Sequence, residues 1–198
     1  RVHRWIAGDE SLRRHVGGRA DAVAAYAALP LPDTTEEHWR FTDLRGLDPE
    51  SFVSNGHVPV SDTGTMLELD VAGYVTVTEG GIDISQAPEG VRFEPLPEDF
   101  DRLYSLVGWD EKFAAHNAAM WKNGLLVVVP KGVQLEKPLY VRIAVTGQTF
   151  WRLVIVAEEG SRASLIEESA SPAPATAAHS QPVVEPSSWP GASPAYLS

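Results

Sequence analysis

The residues of this chain that could do chemistry are dispersed. Its six histidines, His3, His15, His38, His57, His116 and His179, include no H-x-x-x-H or H-E-x-x-H pair. A metal centre needs three or four converging ligands, so metal binding by this chain alone is not expected. There is no cysteine, which excludes disulfides and thiolate ligation by these residues. No G-x-x-x-x-G-K-[ST] loop occurs, so any nucleotide hydrolysis would belong to a partner. His116 is the best single candidate for a functional imidazole, and its plainer reading is a surface or interface histidine. Asn117 shares a helical stripe with Phe113, Met120 and Trp121. A buried amide there is expected to bond to backbone at the helix-to-strand junction, without a catalytic role. The pairs Glu158-Glu159 and Glu167-Glu168 could suggest a β-helix carbohydrate enzyme, in which carboxylates on adjacent turns act as acid and base. Neighbours on a strand point to opposite faces, however, so neither pair makes two cooperating groups, and both read as solvated turn residues. The expectation is a chain with no catalytic, cofactor-binding or metal residues of its own, therefore not an enzyme.

The elements that must position these residues centre on 124–167. Val127-Val128-Val129 runs into Pro130-Lys131-Gly132 and re-emerges as Val133-Gln134-Leu135; Val154-Ile155-Val156 runs into Ala157-Glu158-Glu159-Gly160 and re-emerges through Ala163 and Leu165. Each copy is a β-branched run, a glycine turn and an alternating run, the pattern of strands joined by tight corners. Gly132 and Gly160 stand 28 positions apart, a period that points to stacked units burying a core against one another. A mainly β fold is expected, with an N-terminal α+β region leading into the start of a right-handed parallel β-helix (solenoid) preceded by helices. The division is 1–123 for the helical and mixed region, 124–169 for the first β-helix turns, and 170–198 for a tail.

Within the first region, residues 9–29 read as helix, capped by Asp9 or Ser11, interrupted at Gly17-Gly18 and ended by Pro30 and Pro32. Trp39, Phe41, Leu44, Leu47 and Phe52 are expected to clamp the helices to the body, with a partner-binding patch as the alternative. Short apolar runs across 54–97, Met66 to Leu69, Tyr74 to Val77 and Ile82 to Ile84, read as strands. Residues 98–123 return to helix, first over Phe100, Leu103, Tyr104 and Val107, then from an Asp110 cap to Asn123-Gly124. In the tail, Glu185 is the only charged side chain among Pro, Ala and Ser. That composition reads as linker-like or as a truncated or misassigned β-helix, and a high-GC gene read out of frame would give it too.

A net charge of −11, from 16 Lys+Arg against 27 Asp+Glu, argues against nucleic acid and anionic lipid as partners. No apolar run, Leu125 to Val129 included, approaches the roughly 20 residues of a membrane span. No signal sequence opens the chain at Arg1-Val2-His3-Arg4, and without an initiator methionine the natural start can lie upstream. A cytoplasmic location is expected.

The segment Phe113 to Arg142 followed by Arg152 to Ser169 resembles the SufB/SufD family of iron–sulfur cluster assembly proteins. The residues that carry the resemblance are Asn117, Pro130-Lys131-Gly132, Leu135-Glu136-Lys137-Pro138-Leu139 and Glu158-Glu159-Gly160. Upstream, Glu37-His38-Trp39-Arg40-Phe41-Thr42-Asp43-Leu44-Arg45 resembles a SufD segment and favours SufD over SufB. The likeness spans roughly residues 10 to 169, the N-terminal portion of such a protein. It implies a non-catalytic scaffold in a SufBCD-like complex, pairing with a SufB-like paralogue and a SufC-like ATPase, or with itself. The iron–sulfur cluster would be handled by the complex, with no cofactor bound by this chain. Family functional residues lie beyond these motifs, so none is carried over. An uncharacterised interaction module is the remaining alternative. A solenoid that stops here would expose its last turn, implying self-association or instability unless something covers it.

Overall fold

The β-branched runs become strands, and the glycine turns become corners between two sheets. A computed structural model describes residues 2–4, 18–51, 69–78, 80–144, 148–170 and 179–197. The elements are β1 (Val2–Arg4), α1 (Arg19–Ala28), β2 (Gly73–Thr78), β3 (Gly81–Gln86), β4 (Arg92–Pro95), α2 (Lys112–Met120), β5 (Asn123–Val129), β6 (Leu139–Ala144), β7 (Gln148–Ala157), β8 (Arg162–Ala170), β9 (His179–Ser188) and β10 (Ser193–Leu197). The fold is mainly β with few helices. One sheet has six strands in the order β1-β10-β8-β6-β2-β3 and the other four in the order β4-β5-β7-β9. From β5 onward the chain alternates between the sheets, and each strand pairs in parallel with the strand two places later. Antiparallel partners stand at three edges, β3 on β2, β4 on β5 and β1 on β10.

The alternation within each strand separates two cores. Val127, Leu153 and Ile155 from one sheet meet Val75, Val141, Ile143 and Leu165 from the other between the sheets. The opposite face of the four-stranded sheet, with Leu126, Val128, Val154 and Val156, packs under Ala22, Ala118, Ala119 and Trp121 of the helical layer. Strands buried on both faces read as continuous hydrophobic runs, as Leu125 to Val129 does.

Three corners repeat one geometry. In Pro130-Lys131-Gly132-Val133, Glu158-Glu159-Gly160-Ser161 and Trp189-Pro190-Gly191-Ala192, the fourth N–H donates to the first carbonyl at 3.1, 3.0 and 3.0 Å. The third residue is glycine each time, at φ +74, +67 and +76°, the position where a type II turn needs positive φ. The corners are stacked: Gly132 N donates to Glu159 O at 3.0 Å, Leu135 N to Arg162 O at 2.8 Å, and Ser193 N to Ser161 O at 2.9 Å.

Several expectations need correction. Residues 98–107 form successive turns and no helix, and Tyr104 has φ +62°. α2 begins after Glu111, with no side-chain cap, and ends at Met120. Trp39 packs on Phe113 with ring centroids 5.3 Å apart, yet Phe41 is 90% exposed and clamps nothing. The linker-like composition after 170 nonetheless carries β9 and β10. Asp9, Ser11, Phe52 and Met66 lie outside the described residues, and Leu69, though described, is in no strand.

A Cβ on Gly160 would meet nothing within 4 Å, so Gly160→Ala isolates the backbone term. It is expected to lower the unfolding free energy by about 1–2 kcal/mol in urea titration. Gly160→Asn, which tolerates the left-handed region better, should lose less.

Candidate functional site

The polar groups that the fold brings together lie beneath the helical layer, on the outer face of the four-stranded sheet. Arg152 occupies an alternate position of β7 beside Val154, so the strand periodicity turns it to the same side. It is fully buried. Its Nε donates to Asn117 Oδ1 at 2.8 Å, its Nη1 to Glu185 Oε1 at 2.5 Å and its Nη2 to the Val107 carbonyl at 3.3 Å. The guanidinium carbon stands 4.4 Å from the centre of the Tyr104 ring. Burial pushes the Arg152 guanidinium below its ordinary value, opposed first by the Glu185 carboxylate and then by Tyr104.

Glu185, from β9, is equally shielded. Its Oε1 also accepts from Tyr104 N at 3.2 Å, and its Oε2 accepts from Leu106 N at 3.1 Å and Val107 N at 3.3 Å. In a helix those amides would donate to carbonyls one turn back; the carboxylate takes them instead, which is why 98–107 is not helical. Tyr104 Oη accepts from Trp121 Nε1 at 2.9 Å, so the residue is held at both its backbone and its ring. Asn117 completes the cluster. Its Nδ2 donates to the carbonyls of Trp151 at 3.0 Å and Gln181 at 2.6 Å. These are backbone partners, as expected of a buried amide, but they belong to β7 and β9 rather than to the end of its own helix.

This constellation has the composition of an active site and the connectivity of a lock. Both carboxylate oxygens of Glu185 are occupied by protein donors, and each guanidinium nitrogen of Arg152 has an acceptor. What it can do is hold the 102–107 turns, α2, β7 and β9 in one arrangement.

The residues weighed from sequence fall elsewhere. His116 is buried, not superficial: its ring stacks on Tyr26 of α1 at 4.2 Å and meets Phe150 of β7 edge-on at 4.5 Å. His38 is exposed; His15 and His57 lie outside the described residues, as do the side chains of His3 and His179. Glu158 and Glu159 do sit at a corner, where Glu158 Oε2 accepts from Lys131 N at 3.0 Å and Glu159 Oε2 from Lys131 Nζ at 2.7 Å. Glu167 and Glu168 do not: both are in β8, Glu167 is buried, and Glu168 accepts from the Tyr140 hydroxyl. Among the described residues no group of three His, Asp or Glu side chains converges as a metal site. No described helix is long and apolar enough to cross a membrane. Arg152 and Glu185 were missed; the signal for Glu185 was its isolation as the single charge in an uncharged tail.

No protein-family model matches the chain. Among curated proteins, an iron–sulfur cluster assembly SufBD family protein of Staphylococcus epidermidis is 35% identical over 79 residues, 38% of this chain and 17% of that protein. One from Staphylococcus saprophyticus is 33% identical over 93 residues, 44% of this chain and 20% of that protein. Over that segment the chain is similar to SufBD-family proteins. The similarity spans about a fifth of the length of these SufBD relatives.

α1 is tied to α2 by Arg19, whose Nη1 donates to the carbonyls of Ala119 at 3.0 Å and Trp121 at 2.8 Å, and by Lys112, whose Nζ donates to Tyr26 O at 2.6 Å. Burial raises the Tyr26 phenol above its ordinary value, helped by Glu50 and Asp48. A raised phenol contributes stability that is complete below pH ~10 and is lost as pH rises through the folded value. Phenolate absorbance should therefore contain a late-titrating component that is lost in Tyr26→Phe.

The lock predicts strong coupling. Glu185→Leu or Arg152→Leu alone is expected to cost about 3–5 kcal/mol, because each strands a buried charge. The double variant should cost clearly less than their sum in a urea double-mutant cycle.

Proposed function

We propose that the chain is a SufD-like, non-catalytic scaffold component of an iron–sulfur cluster assembly complex, and that β5 to β10 are successive coils of a right-handed parallel β-helix. The observation that carries this reading is the stack of corners. The first two contain Pro130-Lys131-Gly132 and Glu158-Glu159-Gly160, motifs shared with the family, and they bond to each other directly through Gly132 N and Glu159 O at 3.0 Å. The similarity to SufBD relatives supports it independently. Strands that alternate between two sheets and pair in parallel with the next coil support the solenoid. The segment from Trp39 to Leu44 supports SufD over SufB.

The chain acts by presenting surface. With no cysteine in these 198 residues, thiolates for a cluster come from outside them, on this reading from a partner, and these residues bind no cofactor. Its partners are a SufB-like paralogue and a SufC-like ATPase, or a second copy of itself, in the cytoplasm. Phe41, exposed beside a Trp39 that is anchored on Phe113, is the aromatic best placed for such a contact.

Co-expression of the tagged chain with SufB-like and SufC-like proteins tests this. The SufB-like protein should co-purify, with the SufC-like ATPase arriving through it, and the chain alone should carry no stoichiometric iron. A folded chain that captures neither protein would sink the scaffold reading, and iron retained by the isolated chain would overturn the assignment of cluster ligands to a partner.

A further inference from the structure

Among the described residues, one large apolar side chain stands far out in water. Phe41 is 90% exposed, while Val23, Leu69, Ile84, Met120 and Trp189 are at 50% or less. An exposed apolar side chain is ordinary in itself, but the position of this one is fixed. The segment around it is built of successive turns, in which Glu36 N donates to Asp33 O at 3.1 Å, Trp39 N to Glu36 O at 2.9 Å and Thr42 N to Trp39 O at 2.8 Å. Trp39, two residues before Phe41, packs its ring on Phe113 of α2. The Arg40 guanidinium carbon lies 4.6 Å from the centre of the Phe41 ring, and Arg40 Nη1 donates to Glu37 Oε1 at 3.3 Å. One face of the ring is thus backed by a cation. A phenyl held this way loses less freedom on contact than one on a loose loop.

Charge narrows what can meet it. Residues 33–50 hold six carboxylates, Asp33, Glu36, Glu37, Asp43, Asp48 and Glu50, against two guanidiniums, a net of −4. All six carboxylates are exposed. Both guanidiniums are engaged within the segment, Arg40 on Glu37 and Arg45 on Asp43, the latter through Nη2 to Oδ2 at 2.7 Å. The charge of the other four carboxylates is what the segment presents to an approaching surface. A second copy of these residues would bring the same −4 and its share of a net −11, and like charges set against each other across an interface repel. Nucleic acid and anionic lipid are disfavoured by the same sign.

We propose that Phe41 anchors a docking surface for a different protein, one that offers an apolar pocket sized for a phenyl ring and set in a basic surface. The inference rests on the scaffold reading above and goes one step further: of the partners named there, it selects a heterologous subunit over a second copy of the chain. The phenyl supplies the desolvated contact that slows dissociation. The carboxylates around it steer the approach and reject acidic surfaces.

The test measures binding of the chain, of Phe41→Ala and of the double variant Glu36→Lys/Glu50→Lys to the SufB-like protein and to the SufC-like ATPase. Association and dissociation rates are read at low and high salt, with folding checked by circular dichroism. The double variant takes the segment from −4 to 0, since each reversal adds two charges. Toward one of the two proteins, Phe41→Ala should weaken binding about tenfold or more, mainly through faster dissociation. The double variant should slow association about threefold or more and flatten its salt dependence. If the chain binds one of these proteins and both variants bind it equally well, the docking inference is overturned and the scaffold reading stands. If Phe41→Ala weakens binding and the charge reversals change nothing, the basic partner is overturned. If the chain binds neither protein, the scaffold reading fails and the inference falls with it. Self-association of the chain that Phe41→Ala abolishes would overturn the choice of a heterologous partner.

Discussion

A guanidinium and a carboxylate, both withdrawn from water, set the arrangement of everything around them. Desolvating either ion costs several kcal/mol, and that cost is offset only when every donor and acceptor finds a partner. Arg152 and Glu185 meet this condition through Asn117, the Val107 carbonyl and the amides of Tyr104, Leu106 and Val107. The demand propagates. The 102–107 turns cannot become helix without stranding Glu185, and Tyr104 stays at φ +62° because Glu185 holds its amide and Trp121 donates to its hydroxyl. α2 cannot slide because Asn117 bridges the carbonyls of β7 and β9. One ion pair thus joins a helix, a run of turns and two strands that an apolar contact would hold less specifically.

The sequence showed what depends on local pattern and hid what depends on long-range pairing. Gly132 and Gly160 could be read as corners because β-branched runs flank them and tie each glycine to a turn. Gly191 has the same turn, but its flanks are Ser, Pro and Ala, so hydrophobic periodicity gave no sign of the strands on either side. Phe100, Leu103, Tyr104 and Val107 have helical spacing, and three of them do face apolar partners or the buried cluster. The amides of Tyr104 and Val107 are claimed by a carboxylate some 80 positions away in sequence, and no local reading contains that term. Arg152 gave no sign of its role for the same reason: its partner lies on a strand that composition did not suggest.

Glu185 and the prolines of β9 show why composition misjudged the tail. Disorder is expected where little apolar area offsets the entropy of ordering a segment, and that argument assumes the segment must supply the area itself. A strand added to an existing sheet does not. β9 inherits a ladder of ten register positions from β7 and a buried partner for its single charge, so modest side chains suffice. Proline weakens a central strand because its nitrogen must point at one neighbour or the other, and each neighbour needs a donor there. Among the described residues β9 is paired on one side, by β7, and a proline whose nitrogen faces away from β7 costs that ladder nothing. Whether a Pro-rich segment can be a strand is therefore decided by the parity of its prolines against the sheet, and here Pro182 and Pro186 fall on one parity and Glu185 on the other.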